Sequence, residues 1–149
     1  MQPPEDYMRR CIELAEMARQ SGDTPVGSLI VHRTQVIAEG VDAVKARLDI
    51  TAHAEVEAIR KACQALNSLD LRGCVLYTTT EPCWMCSYAI RQAGISGVII
   101  GNAIPWGGGV TSRYPILLSD VEIESWSAPP TVTCSILRTE CEKLNRKQR

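Results

Sequence analysis

Residues 51–86 of this chain, TAHAEVEAIRKACQALNSLDLRGCVLYTTTEPCWMC, hold the residues that the rest of the sequence must position. His53 offers an imidazole, and Cys83 and Cys86 offer two thiolates. Three such ligands suit a tetrahedral Zn²⁺ whose fourth position stays open for water. Glu55 follows His53 by two residues and can exchange protons with that water. A structural zinc site would close the fourth position with another Cys or His, so the pattern predicts one catalytic zinc per chain.

Two predicted helices bring these ligands together. Apolar residues at helical spacing predict a helix over 52–66, with His53 in its first turn. Pro82 suits the first position of a second helix, because the backbone N–H at that position has no partner within the helix and proline loses nothing by lacking it. Cys83 and Cys86 would then lie on one face of that helix. The positive end of the helix would help to hold both as thiolates.

The combined pattern resembles the zinc-dependent cytidine-deaminase-like superfamily, whose signature is His-x-Glu followed by Pro-Cys-x-x-Cys. The resemblance runs from the first predicted helix to the last. It implies an α/β three-layer sandwich, with a central mixed five-stranded sheet flanked by helices, and a homo-oligomer, expected to be a dimer. It also implies hydrolytic removal of an exocyclic amine, with Glu55 carrying protons to the ring and to the departing ammonia. Backbone groups at Ala54 and Glu81 would hold the reacting group.

Length and composition predict one domain over residues 1–149, because 149 residues that are 45% hydrophobic can bury one sizeable core. The formal net charge of −1 gives no overall attraction to nucleic acid or membrane. No secretory segment or bilayer-spanning run is present, and seven cysteines in such a chain favour a reducing cytoplasm. Outside the zinc motif, the cysteines are expected to be small buried hydrophobes: Cys11, Cys63, Cys74, Cys134 and Cys141.

Periodicity and turn residues predict the other elements. They are a helix over Pro4–Gln20, strands over Val26–Val31, Gln35–Ala38, Cys74–Thr79 and Val98–Ile100, an edge strand over Val121–Trp126, and a last helix over Thr131–Leu144. A solvated basic end is predicted for Lys143, Arg146, Lys147 and Arg149.

The substrate pocket is predicted from a departure within the family. The chain looks closest to the branch that holds guanine deaminases, yeast-type cytosine deaminases and bacterial tRNA adenosine deaminases. That branch usually reads its substrate with an Asn after the second strand, where this chain has Asp42. An ionised carboxylate only accepts hydrogen bonds, so Asp42 would suit a ring edge that shows N–H groups. Val26 is expected to pack on the ring and Trp106 to close the pocket; alternatively, Asp42 is an exposed turn residue.

Three functions remain open from the sequence. A small-molecule nucleobase or nucleoside of the guanine or cytosine type is favoured, because the chain is slightly acidic and Asp42 replaces the usual Asn. The alternative is adenosine-to-inosine deamination in tRNA, which is less expected because such enzymes grip phosphates with Lys and Arg. A zinc-stabilised binding module without catalysis would be expected to lack Glu55.

Overall fold

The computed structural model describes residues 2–146, except for the side chain of Arg146, so the predicted basic end at Lys147 and Arg149 lies outside the described residues. A five-stranded mixed sheet lies between two helical layers, which confirms the predicted sandwich. The elements are α1 Pro4–Gln20, β1 Gly27–His32, β2 Gln35–Val41, α2 Val44–Arg47, α3 Ala54–Leu66, β3 Cys74–Thr80, α4 Trp84–Ala93, β4 Gly97–Asn102, β5 Thr131–Thr133 and α5 Arg138–Arg146.

The sheet has the order β2-β1-β3-β4-β5. β1 is antiparallel to β2 and β3, whereas β3, β4 and β5 are parallel to one another. Arg33 and Thr34 form the two-residue turn that joins β1 to β2, with φ of 50° and 67°. Two-residue turns with positive φ at both positions have a twist that matches the twist of the strands in a hairpin. The parallel half brings the carboxyl ends of β3 and β4 to one edge, where ligands bind in open α/β sheets.

Each face of the sheet is covered by its own pair of helices. α1 and α5 pack on one face, around a core that includes Met8 and Tyr77. α3 and α4 pack on the other face, around a core that includes Leu76 and Ile90. Both helices that follow the zinc-ligand motifs therefore lie on the same face, as the sequence predicts.

Gly40 in β2 lets α3 approach the sheet closely. A Cβ at Gly40 would overlap the carbonyl oxygen of Ala54 and come within 2.7 Å of the amide nitrogen of Ala58. The start of α3, which carries the His-x-Glu motif, therefore lies directly against the strand that leads to Asp42.

The C-terminal third differs most from the sequence predictions. Val121–Trp126 is not a strand, and the fifth strand is Thr131–Thr133, which was predicted as the start of the last helix. Three consecutive β-branched residues favour a strand, and here they pair with Gly97–Ile99 of β4. The last helix begins only at Arg138.

Smaller differences concern burial and a short helix. The four-residue α2 was not predicted. Cys134 is exposed and Cys63 is half-buried, whereas Cys11, Cys74 and Cys141 are buried as expected. Within residues 2–146, none of the helices has the length and apolar character needed to cross a membrane.

Candidate active site

His53, Cys83 and Cys86 meet at one point, and their spacing matches a zinc ion. The Nδ1 atom of His53 lies 3.5 Å from Sγ of Cys83 and 3.4 Å from Sγ of Cys86, and all three ligand atoms lie within 4.8 Å of one another. Zinc bonds of about 2.3 Å to sulfur and about 2.0–2.1 Å to nitrogen, at a tetrahedral angle, require N···S separations of about 3.5 Å. The three side chains are therefore positioned to bind one zinc ion.

Both ligand motifs lie at helix N-termini, and each helix begins two residues later than predicted. His53 is the N-cap of α3 and Cys83 is the N-cap of α4, each with an extended backbone. Pro82 therefore precedes the helix rather than beginning it. Extended caps turn the two ligands towards the space between the helix ends, where unpaired N–H groups favour negative charge. Thiolates and an attacking anion are stabilised in that space.

Before a metal binds, the two thiols shift each other's pKa in opposite directions. A hydrogen bond from Cys86, opposed by burial and aided by His53, lowers the pKa of Cys83 to about 4. The same hydrogen bond, together with burial, raises the pKa of Cys86. Because zinc ligation requires both sulfurs as thiolates, metal binding releases the protons that the thiols carry.

Glu55 lies in the first turn of α3 and is only 4% exposed. Burial raises the pKa of its carboxyl to about 8. A carboxyl whose pKa lies near neutral pH can both take and return protons, as a general acid–base group must. It is not among the three metal-ligand side chains.

A cavity of about 230 Å³ opens beside the metal ligands. Asp42 and Val26, predicted to bind substrate, both line it, as does Glu55. Asp42 is 7% exposed, which excludes the alternative of an exposed turn residue. One of its oxygens accepts a hydrogen bond from the Val44 amide at 3.2 Å. Burial raises the pKa of its carboxyl.

The predicted lid residue lies elsewhere. Trp106 is 79% exposed and is not among the residues that line the cavity. Ile104, from the same loop, lines it instead. Ile104 is not predicted from the sequence, because a single aliphatic residue in a loop carries no periodic signal. Thr24 and Thr80, which line the cavity beside strand ends, are not predicted either.

Ala54 and Glu81, whose backbone groups are predicted to hold the reacting group, differ in which backbone atoms are free. Ala54 is the first residue of α3 and is fully buried, so its amide belongs to the free N–H groups at the helix start. Glu81 lines the cavity, but its amide donates to Asn102 at 2.7 Å. A backbone contact from Glu81 to a substrate would therefore use its carbonyl oxygen.

Comparison with known proteins agrees with this geometry. Residues 1–102 match the family model of the cytidine and deoxycytidylate deaminase zinc-binding region. The tRNA-specific adenosine deaminase of Aquifex aeolicus is 41% identical over 113 residues, covering 76% of this chain and 75% of the relative. The guanine deaminase of Bacillus subtilis is 46% identical over 90 residues, covering 60% of this chain and 58% of the relative.

A solved structure is similar over nearly the whole chain. It comes from a study of A-to-I editing by tRNA deaminases at the wobble position of transfer RNA. Its TM-score is 0.85 at 32% identity, covering 93% of this chain and 98% of that one.

The chain belongs to the cytidine and deoxycytidylate deaminase zinc-binding family. It is a zinc-dependent aminohydrolase, as the sequence predicts.

Proposed function

We propose that this chain converts adenosine to inosine in tRNA. The supporting observation is its similarity to tRNA adenosine deaminases, in sequence over three quarters of the Aquifex enzyme and in structure over nearly all of a tRNA-deaminase chain. This reverses the order favoured by the sequence alone, in which a small-molecule substrate came first. Net charge argued against tRNA, but phosphate contacts need only a local group of cations, which a near-neutral chain can supply.

The proposed reaction uses groups already lining the cavity. His53, Cys83 and Cys86 would hold a zinc ion, which would lower the pKa of its bound water towards about 7. Glu55 takes one proton from the attacking water and delivers it to the ring nitrogen as the oxygen bonds to the ring carbon. It then takes the remaining proton of that hydroxyl and delivers it to the exocyclic amine, so that the C–N bond breaks, a carbonyl forms and ammonia leaves. Its raised pKa, caused by burial, favours the protonated form between these transfers.

The substrate base must enter this small cavity alone. A base within a stacked helix or loop cannot reach a buried carboxyl, so RNA deaminases flip the target nucleotide out of its stack. The aliphatic side chains of Val26 and Ile104 give the flipped base apolar surface to contact, and Asp42 provides a polar contact.

The test is direct competition between substrate classes. The zinc-loaded protein is incubated with an anticodon stem–loop RNA that carries adenosine at the wobble position, and separately with guanine, cytosine and free adenosine. We expect inosine in the RNA with a kcat/KM well above that for any free base. A higher kcat/KM for guanine or cytosine would overturn the proposal.

Asp42 favours a second candidate, deamination of a guanine-type free base. Guanine shows ring and amino N–H groups, which a buried carboxylate can accept, whereas the corresponding edge of adenine shows mainly acceptors. The Bacillus guanine deaminase is also among the relatives. The competition assay distinguishes the two candidates, because each predicts a different best substrate.

We also propose that the chain works as a homodimer in the cytoplasm. Exposed aromatic side chains on α4 and the adjoining loop, among them Trp84, Tyr88 and Tyr114, support an interaction surface. The seven free cysteines suit a reducing compartment. Sedimentation as a monomer at micromolar concentration would contradict the dimer.

A further inference from the structure

Glu81 carries a buried carboxylate that interacts with backbone amides rather than with a cation. Its side chain is 1% exposed. One oxygen accepts from the amides of Val110 and Thr111, both at 2.8 Å, and the other accepts from the Ile104 amide at 3.1 Å and the Thr111 hydroxyl at 2.6 Å. Among the side chains of residues 2–145, no Lys, Arg or His forms an ion pair with it.

The four donors belong to one loop, residues 104–111, which borders the catalytic cavity. Ile104, the first donor, is itself a cavity wall. Because a buried carboxylate without donors is costly, its hydrogen bonds strongly favour one loop conformation. The position of this loop therefore depends on Glu81, which immediately precedes Pro82 and the zinc ligand Cys83.

Further contacts join the same two segments. The Gly109 amide donates to the Pro82 carbonyl at 2.8 Å, and Gly108 forms an isolated β-bridge with Cys83. Gly108 also packs directly on the Glu81 carboxylate, where an added Cβ would overlap the side chain. The glycine at 108 is thus required for the carboxylate to reach its donors.

We propose that Glu81 is a positioning residue for deamination: its carboxylate fixes the loop 104–111, and with it the Ile104 wall, against the substrate. The inference rests on the deaminase activity and assigns the Glu81 side chain a role distinct from the backbone contact suggested above. It predicts that disturbing the carboxylate or its packing weakens substrate binding without removing the metal.

Two variants disturb this arrangement independently. Glu81→Gln replaces one of the two accepting oxygens with an NH₂ group, which can only donate. Depending on which oxygen is replaced, that NH₂ group faces either the Ile104 amide or the amides of Val110 and Thr111, and those hydrogen bonds are lost. Gly108→Ala leaves Glu81 intact but pushes it away from its donors. Gly107→Ala is the matched control, since an added Cβ there meets nothing within 4 Å. Glu39→Gln, on the surface of β2, controls for loss of one carboxylate charge.

Steady-state kinetics separates positioning from mere structural support. Displacing Ile104 removes a contact made in both the ground and transition states, which raises KM and leaves kcat nearly unchanged. We expect KM for the best substrate, stem–loop RNA or guanine, to rise roughly 10- to 100-fold in Glu81→Gln and Gly108→Ala. Zinc should stay at one ion per chain, and both controls should match the wild type in KM and in zinc content.

Amide hydrogen exchange of the peptide spanning 104–111 gives a readout that does not depend on turnover. Faster exchange in both variants, but not in Gly107→Ala, supports the inference even if neither candidate substrate is deaminated, an outcome that would refute only the proposed function. Unchanged exchange would overturn it. The inference would also be overturned if KM stayed unchanged in both variants and their activity fell only in proportion to the loss of folded protein.

Discussion

At the scale of single residues, the metal ligands depend on one another. Cys83 and Cys86 both contact His53, so removing one thiol leaves two ligands and a weaker zinc site. We expect Cys83→Ala to lose nearly all zinc and to unfold at a lower temperature, because metal binding contributes to folding. Metal analysis by mass spectrometry checks this. Cys134→Ala, an exposed cysteine away from the ligands, should retain one zinc; full retention in Cys83→Ala would refute the ligand assignment.

Glu55 and Glu57 provide a matched pair on the first turn of one helix. Only Glu55 lines the cavity, whereas Glu57 forms ion pairs with Arg47 and Arg60. Glu55→Gln should keep zinc and lose more than the ~10²–10⁴-fold typical of general acid–base help, since one carboxyl serves several proton transfers. Glu57→Gln alters the same helix end without removing Glu55, the proposed proton carrier. Activity of Glu55→Gln within tenfold of that of Glu57→Gln would exclude the mechanism.

We propose that Asp42, which lines the cavity, distinguishes the two candidate substrates. Asp42→Asn restores the amide usual in the near branch of the family, with one donor and one acceptor. We expect it to weaken guanine deamination by ~1.5–3 kcal/mol, the range for a lost charged hydrogen bond, and to preserve or improve deamination of adenosine in RNA. The measurement is kcat/KM on both substrates. Equal values for the two proteins on every base would mean that Asp42 does not read the substrate.

At the scale of elements, α1 is joined to β2 by a bidentate ion pair. Arg10 donates to both carboxylate oxygens of Glu39, at 2.7 and 2.9 Å. This contact lowers the pKa of Glu39. The pair therefore contributes stability above the pKa of an unfolded Glu, and that contribution is lost as the pH falls through the lower, folded pKa.

Glu39→Gln should accordingly lower the free energy of unfolding at pH 7 by about 0.5–1 kcal/mol, a modest value because both side chains are about two-fifths exposed. The difference from the wild type should shrink as the pH falls through the lowered folded pKa of Glu39 and vanish below it. Urea unfolding at several pH values measures it. Glu13→Gln, which removes only a 3.7 Å contact to Arg10, is the control and should change stability less. A difference that does not depend on pH would show that the ion pair is not its cause.

The elements also show what local sequence can specify. Pro4–Gln20 was predicted with the observed bounds, because Pro begins the helix, Ser21-Gly22 ends it and one face is apolar. Thr131–Thr133 was assigned to a helix because Pro129-Pro130 looks like a helix start. The segment forms a strand because it pairs with β4, more than thirty residues earlier in the chain. The local sequence does not indicate such a distant partner.

The same distinction holds within the site. His53, Cys83, Cys86 and Glu55 were identified because their chemistry requires those residue types at those spacings. Ile104 could not be identified, since its place at the cavity depends on the donors that its loop offers to the Glu81 carboxylate. Metal-binding chemistry is visible in sequence, whereas the cavity wall is set by long-range hydrogen bonding.

At the scale of the whole molecule, overall charge provides a test of the substrate class. With a net charge of −1, binding of RNA would depend on a few local phosphate contacts. For two or three such contacts, raising salt from about 50 to about 200 mM should lower affinity for the stem–loop by roughly tenfold, with no matching effect on guanine. Deamination rates at both salt concentrations measure this. A stem–loop affinity indifferent to salt would argue against phosphate recognition.

The long path from Asn102 to Thr131 has a consequence for how the chain folds. β4 and β5 are neighbours in the sheet, yet the connection between them contains no helix or strand, unlike the two-residue turn between β1 and β2. Closing a long loop costs conformational entropy before the favourable strand contacts form, so contacts between distant residues form slowly. We therefore expect the β1–β2 hairpin to assemble early and β5 with α5 to dock last, after the segment that carries the zinc ligands has already emerged and folded.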